Sequence, residues 1–116
     1  MIKRLHENHL IAQVVRYGST VETAGQVATN TAASLEEQSI EVLGKVTGLL
    51  EEVGATLNDL VRVQVWLTNI AEFETFNAVY EKWLDGRPKP VRACVESALV
   101  AGGYVVEVQA FAYVAE

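Results

Sequence analysis

Three side chains near the C-terminus have the types and spacing for chemistry on a small charged substrate. In PVRACVESALVAGGYVVE (Pro90 to Glu107), an arginine, a cysteine and a lone glutamate are set into runs of β-forming residues. Period-two alternation puts Arg92, Cys94 and Glu96 on one side of the first run. In the second it groups Val105, Glu107, Gln109 and Phe111. A guanidinium is permanently charged and grips carboxylates in a two-pronged fork. A glutamate held near it can act as a base toward water or as a proton donor. Such a pair suits a small substrate with a carboxylate and an electrophilic carbon. The competing reading is an ion pair between Arg92 and Glu96 or another acid, since charges are costly to bury unless paired. Cys94 has no neighbouring histidine in sequence and reads as a small buried hydrophobe.

The elements that must position these groups follow from the rest of the chain. Ile2 to Leu5 is a short first strand, and Leu10–Arg16 and Thr20–Val27 form a hairpin about Gly18-Ser19. Gly25 serves a bend or a close backbone approach, or simply ends its strand. Ser34-Leu35-Glu36-Glu37 fits a capping box. The stripe Val42, Leu43, Val46, Leu49, Leu50, Val53 defines the helix behind it, and Gly54 ends it. Leu60–Leu67 alternates as a strand, with Val61, Val63, Val65 and Leu67 facing helices and Arg62, Gln64 and Trp66 on the other face. Trp66 there points to a subunit interface. A second helix spans Asn69–Leu84, with Asn69 as N-cap, Glu72 three residues on, and Phe73, Phe76, Tyr80 and Trp83 as its apolar stripe. Asn77 falls within that stripe, and a polar group there needs a partner, expected in a neighbouring backbone loop. Asp85-Gly86-Arg87-Pro88 turns the chain into the strand Pro90–Ala98, and Tyr104–Val114 is the last strand.

The order ββ-α-β-α-ββ predicts an α+β sandwich, a sheet with both helices on one face. Its mixed second face would be covered by other subunits. The 116 residues make one domain, half of them hydrophobic. A formal charge of −6 and the lack of a basic stripe weigh against nucleic acid as a partner. The longest apolar runs are far short of a membrane span, and the start MIKRLHENH lacks a signal-peptide core. One cysteine allows no internal disulfide and fits a cytosolic protein. His6 and His9 read as surface or strand residues, without metal-site spacing.

PVRACVE followed by YVVEVQAFA resembles the signature of the RidA/YjgF family of reactive imine and enamine deaminases. AGQV (Ala24 to Val27) is similar to the family's SGQ turn, and FNAVYEKW (Phe76 to Trp83) to its F-N-x-x-Y helix. The resemblance covers nearly the whole chain and shifts the reading of Arg92 from ion pair to substrate ligand. It implies a chorismate-mutase-like fold, a mixed sheet with two helices on one face, assembled as a homotrimer with sites between subunits. It also implies hydrolysis of 2-imino or 2-enamino acids, of the 2-iminobutanoate/2-iminopropanoate type, to 2-keto acids and ammonia without a cofactor. By the same resemblance Arg92 binds the substrate carboxylate, Glu107 and the Cys94 carbonyl position and activate water, and the Gly25 N–H holds the substrate. Ile11 and Ala24 stand where family deaminases commonly carry a tyrosine and a serine, which implies a more apolar pocket. Tyr17 does not substitute for that tyrosine, because six residues along a strand is roughly 20 Å.

Three further functions compete: a non-catalytic trimer binding small carboxylates, a deaminase for a pathway-specific aminoacrylate or imine, and RNA cleavage. The acidic charge weighs against the last.

Overall fold

The computed structural model describes residues 1–115. Its elements are β1 (Ile2–Leu5), β2 (Val14–Tyr17), β3 (Thr20–Thr23), α1 (Leu35–Glu52), β4 (Leu60–Leu67), α2 (Phe73–Leu84), β5 (Val91–Glu96) and β6 (Val106–Tyr113). The strands form one six-stranded sheet ordered β1-β2-β3-β6-β4-β5. All neighbours are antiparallel except β4 and β5. A parallel pair needs a long crossover, and α2 supplies it. The chain is therefore α+β, with the expected element order.

The first helix forms as its sequence dictates. The Glu37 N–H donates to Ser34 Oγ at 3.2 Å, and the Ser34 N–H donates to a Glu37 carboxylate oxygen at 3.5 Å. This closes the capping box on two otherwise orphan donors. Gly54 ends the helix at φ +84°, where a side chain would be strained. Val42, Leu43, Val46, Leu49, Leu50 and Val53 are all buried against the sheet. Cutting Leu43 or Leu50 back to alanine would cost about 2–5 kcal/mol by loss of transfer energy and cavity formation. On β6 the same periodic logic holds. Val106, Val108, Ala110 and Ala112 are buried, while Glu107, Gln109 and Phe111 are half-buried on the other face.

Several boundaries and faces differ from the sequence expectation, each for a tertiary reason. The first hairpin is shorter. Leu10 to Gln13 is a loop, held by the Asn8 side chain accepting from the Leu10 and Ile11 N–H groups at 2.7 and 2.9 Å. Beyond Thr23 one last hairpin bond remains, from the Ala24 N–H to Gln13 O at 2.8 Å, and Gln26 then bridges to Val108. Val61 does not face the helices. A register shift between Leu60 and Arg62 bulges it out to 48% exposure, and Leu60 takes its place in the core. Asn69 does not cap α2. Its side chain accepts from the Ala71 N–H, capping a 3-10 turn at Ile70–Glu72, and α2 begins after it at Phe73.

α2 is pinned to α1 by Trp83, whose indole N–H donates to Thr47 Oγ1 at 2.8 Å. The carboxylate of Glu96 accepts from the Ile70 N–H at 2.9 Å and closes the turn before α2. This occupies the acid that would otherwise be the natural partner of Arg92.

Candidate active site

Arg92 sits on the edge strand β5, in register with Val63 of β4. Side chains of paired residues leave a sheet on the same face, so Arg92 and Cys94 project to the helix side, as Val63 and Val65 do. There the guanidinium donates from Nη1 to Asn77 Oδ1 at 2.8 Å. It also lies 4.8 Å from the ring centroid of Tyr80 and 5.5 Å from that of Phe73. Among the described residues Arg92 takes part in no ion pair. The expected alternative of a pair with Glu96 therefore does not form. Asn77 finds its partner in this guanidinium, not in a backbone loop. The cation is held by neutral groups, with most of its five N–H donors uncommitted.

Ser97 donates its N–H to Leu67 O at 2.9 Å. Alternation along β5 therefore turns the main-chain groups of Ala93 and Val95 toward β4, and those of Cys94 toward the open sheet edge. The Cys94 carbonyl thus lies at the edge while its side chain packs inward. Burial raises the thiol pKa, partly countered by the Arg92 charge, which keeps the sulfur protonated and unreactive at neutral pH.

Glu107 occupies the other face. It is in register with Trp66, whose side chain projects away from the helices. A Cβ at Gly25 would come within 1.9 Å of Glu107 Oε2. The glycine is therefore a close backbone approach to the carboxylate, not merely a strand end. Burial raises the Glu107 pKa, which makes it a better proton acceptor than a solvated glutamate. Around this contact the Gln26 side chain donates to Gln13 Oε1 at 2.8 Å and to Ala24 O at 3.1 Å, which fixes the Ala24–Gln26 turn. Also on this outer face, Arg62 lies 4.7 Å over the ring of Phe111, and Trp66 is half-buried beside Glu107.

Ile11 is 49% exposed in the loop before β2 and lines a shallow hollow of about 410 Å³ with Arg4, Asn8 and His9. A larger groove of about 510 Å³ runs between α1 and α2, past Ile40 and Trp83. Neither is lined by Arg92, Cys94 or Glu107. His6 bonds Glu52 at 2.6 Å, and no metal-binding cluster of His, Cys, Asp or Glu occurs among the described residues.

Gln38 escaped the sequence reading. It is fully buried, donates to Ala33 O and Gly103 O at 3.2 and 3.1 Å, and accepts from the Val105 N–H at 3.2 Å. It thereby ties α1 to the segment that enters β6 just before Glu107. A polar residue interrupting the apolar stripe of α1 was the available signal.

The described chain is thus an α+β domain with an unpaired arginine at one sheet edge and a glutamate pressed on a glycine across the sheet. A family model described as Endoribonuclease L-PSP matches residues 1–114. The chain belongs to this family, which also goes under the names RidA, YjgF and RutC. A RutC family protein of Pyrococcus abyssi is 32% identical over 108 residues, covering 88% of this chain and 84% of that protein. The 2-iminobutanoate/2-iminopropanoate deaminase of Escherichia coli K12 is 29% identical over 107 residues, covering 86% and 84%. Among solved structures, E. coli TdcF with bound serine superposes with a TM-score of 0.86 at 26% identity, covering 94% of this chain and 91% of that one.

Proposed function

We propose that this protein hydrolyses 2-imino acids, and the enamines that tautomerise to them, to 2-keto acids and ammonia. The observation that carries this reading is Arg92, a half-buried cation without an acidic partner among the described residues, next to a main-chain carbonyl at an open edge. The similarity to a protein named as an imine deaminase supports it, as does the likeness to a structure holding a small amino acid.

In this reading the guanidinium takes the substrate carboxylate as a fork, and the iminium carbon lies beside it. Glu107 and the Cys94 carbonyl hold a water. As the water oxygen bonds to C2, Glu107 takes one of its protons and passes it to the nitrogen. The C2–N bond then breaks as the C2–OH oxygen forms the carbonyl, and the remaining hydroxyl proton leaves through Glu107 to the departing ammonia. Iminium plus water becomes keto acid plus ammonium, with no redox change. The iminium carbon is already electrophilic, so positioning and one proton acceptor suffice. Arg92 and Glu107 leave the sheet by opposite faces, so a site using both is built between subunits. That is consistent with a homotrimer whose exposed sheet faces meet.

The test generates 2-iminopropanoate and 2-iminobutanoate in situ with an amino-acid oxidase and traps them as semicarbazones. The wild type is expected to suppress semicarbazone formation, and Arg92→Ala and Glu107→Ala are not. A folded but inert wild type would sink the reading. It would favour a non-catalytic carboxylate binder, which the absence of hydroxyls at Ile11 and Ala24 also suits.

A further inference from the structure

Phe73, Asn77 and Tyr80 lie at i, i+4 and i+7, so they share one face of α2. All three touch the Arg92 guanidinium: the amide oxygen at 2.8 Å, and the two rings at 5.5 and 4.8 Å. None of the three carries a charge. A carboxylate in their place would neutralise the arginine and compete with any anionic ligand. Neutral groups hold it while leaving its charge available. We propose that this face of α2 is a cradle that fixes the plane of the Arg92 guanidinium, with Asn77 and Tyr80 as positioning residues for a substrate carboxylate. The inference rests on the reading of Arg92 as the carboxylate ligand.

A fork contact is planar, so the plane of the guanidinium sets the plane of the bound carboxylate and hence where the adjacent C2 atom lies. An untethered arginine would bind the same anion in many orientations. The cradle selects one. Tyr80 serves through its ring. Its hydroxyl is buried with no hydrogen-bond partner among the described residues, so it makes no hydrogen bond to Arg92.

The experiment measures steady-state kinetics on 2-iminobutanoate together with ¹⁵N spectra of the arginine side chains. Asn77→Ala is expected to raise KM about tenfold, the loss of one hydrogen bond to a charged group, and to lower kcat as well, because the carboxylate is then held in several orientations. Asn77→Asp is expected to raise KM further, because its carboxylate occupies the guanidinium. Tyr80→Leu is expected to raise KM about fivefold, through loss of a cation–π face. Tyr80→Phe, which keeps the ring, is expected to recover that loss. In the spectra the Arg92 Nη signals are expected to be resolved in the wild type and to average together in Asn77→Ala.

Variants that lose kcat and thermal stability together, with KM unchanged, would overturn the cradle and leave α2 a purely structural support. Failure of Tyr80→Phe to recover the affinity lost in Tyr80→Leu would overturn the part assigned to the ring. If the wild type hydrolyses no imine, the deaminase reading fails by itself. The cradle is then judged by titrating 2-oxobutanoate against the Arg92 signals. A dissociation constant raised about tenfold by Asn77→Ala upholds it, and an unchanged one overturns it.

Discussion

Arg92 is in register with Val63 and Glu107 with Trp66, and on β4 those two partners point to opposite sides of the sheet. The proposed carboxylate ligand and the proposed base of one chain are therefore separated by the sheet itself. That relationship predicts complementation. Arg92→Ala and Glu107→Ala, each inactive alone, are expected to regain activity when dissociated and reassembled together. Random mixing in a ring of subunits would restore about a quarter of the sites. Semicarbazone competition on the mixed assembly checks this, and no recovery would place the site within one chain.

Gly25 tests the contact with Glu107 directly. Gly25→Ala would drive a methyl group into the carboxylate, which can escape by turning about its own side-chain bonds. The expected result is a near-normal melting temperature with kcat/KM reduced about a hundredfold, the usual scale for a misplaced reacting group. A large loss of stability would mean that the backbone, not Glu107, gives way.

The pH behaviour follows from the burial that raises the Glu107 pKa. As a base it must be ionised, so the acid limb of kcat/KM is expected above the range of an ordinary glutamate. For stability the sign is opposite. A raised folded-state pKa favours the protonated form, so the benefit is complete below the unfolded pKa and fades as pH rises through the folded value. Glu107→Gln, neutral at every pH, is thus expected to abolish hydrolysis while leaving the melting temperature at pH 7 equal or slightly higher. Calorimetry beside the imine assay reads both.

Glu41 titrates in the other direction. The Thr29 N–H donates to it at 2.6 Å, and its pKa falls to about 2. The anchoring of residues 29–30 to α1 is expected to persist well below pH 4 and to fail as the pH drops through that value. Amide exchange at Thr29 and Asn30 across an acid series would follow it.

Gln38→Leu should be the costliest polar-to-apolar change in α1. It keeps the volume but strands the Val105 N–H and the carbonyls of Ala33 and Gly103. About 2–4 kcal/mol is expected from denaturant unfolding. Ser34→Ala, which loses only the cap, should cost about 1 kcal/mol.

The sequence by itself determined what local spacing can encode. The capping box at Ser34, the apolar stripe of α1 and its end at Gly54 all depend on groups a few residues apart. So do the alternation that sorts Glu107 from Val106 and the grouping of Arg92 with Cys94. The motifs were also enough to reveal the family. Only the tertiary structure decided what those groups meet. The bulge that ejects Val61 depends on the register of β4 against β6, and Asn69 lost the cap of α2 to a 3-10 turn tied down by Glu96. Asn77 meets Arg92 and Gly25 meets Glu107 only once strands distant in sequence are laid side by side. A two-residue period says which side chains share a face of one strand. It carries no information about which face of the assembled sheet that will be, and so it could not show that Arg92 and Glu107 part company. Pairing partners and the direction of the crossover through α2 set that, and both are properties of the whole fold.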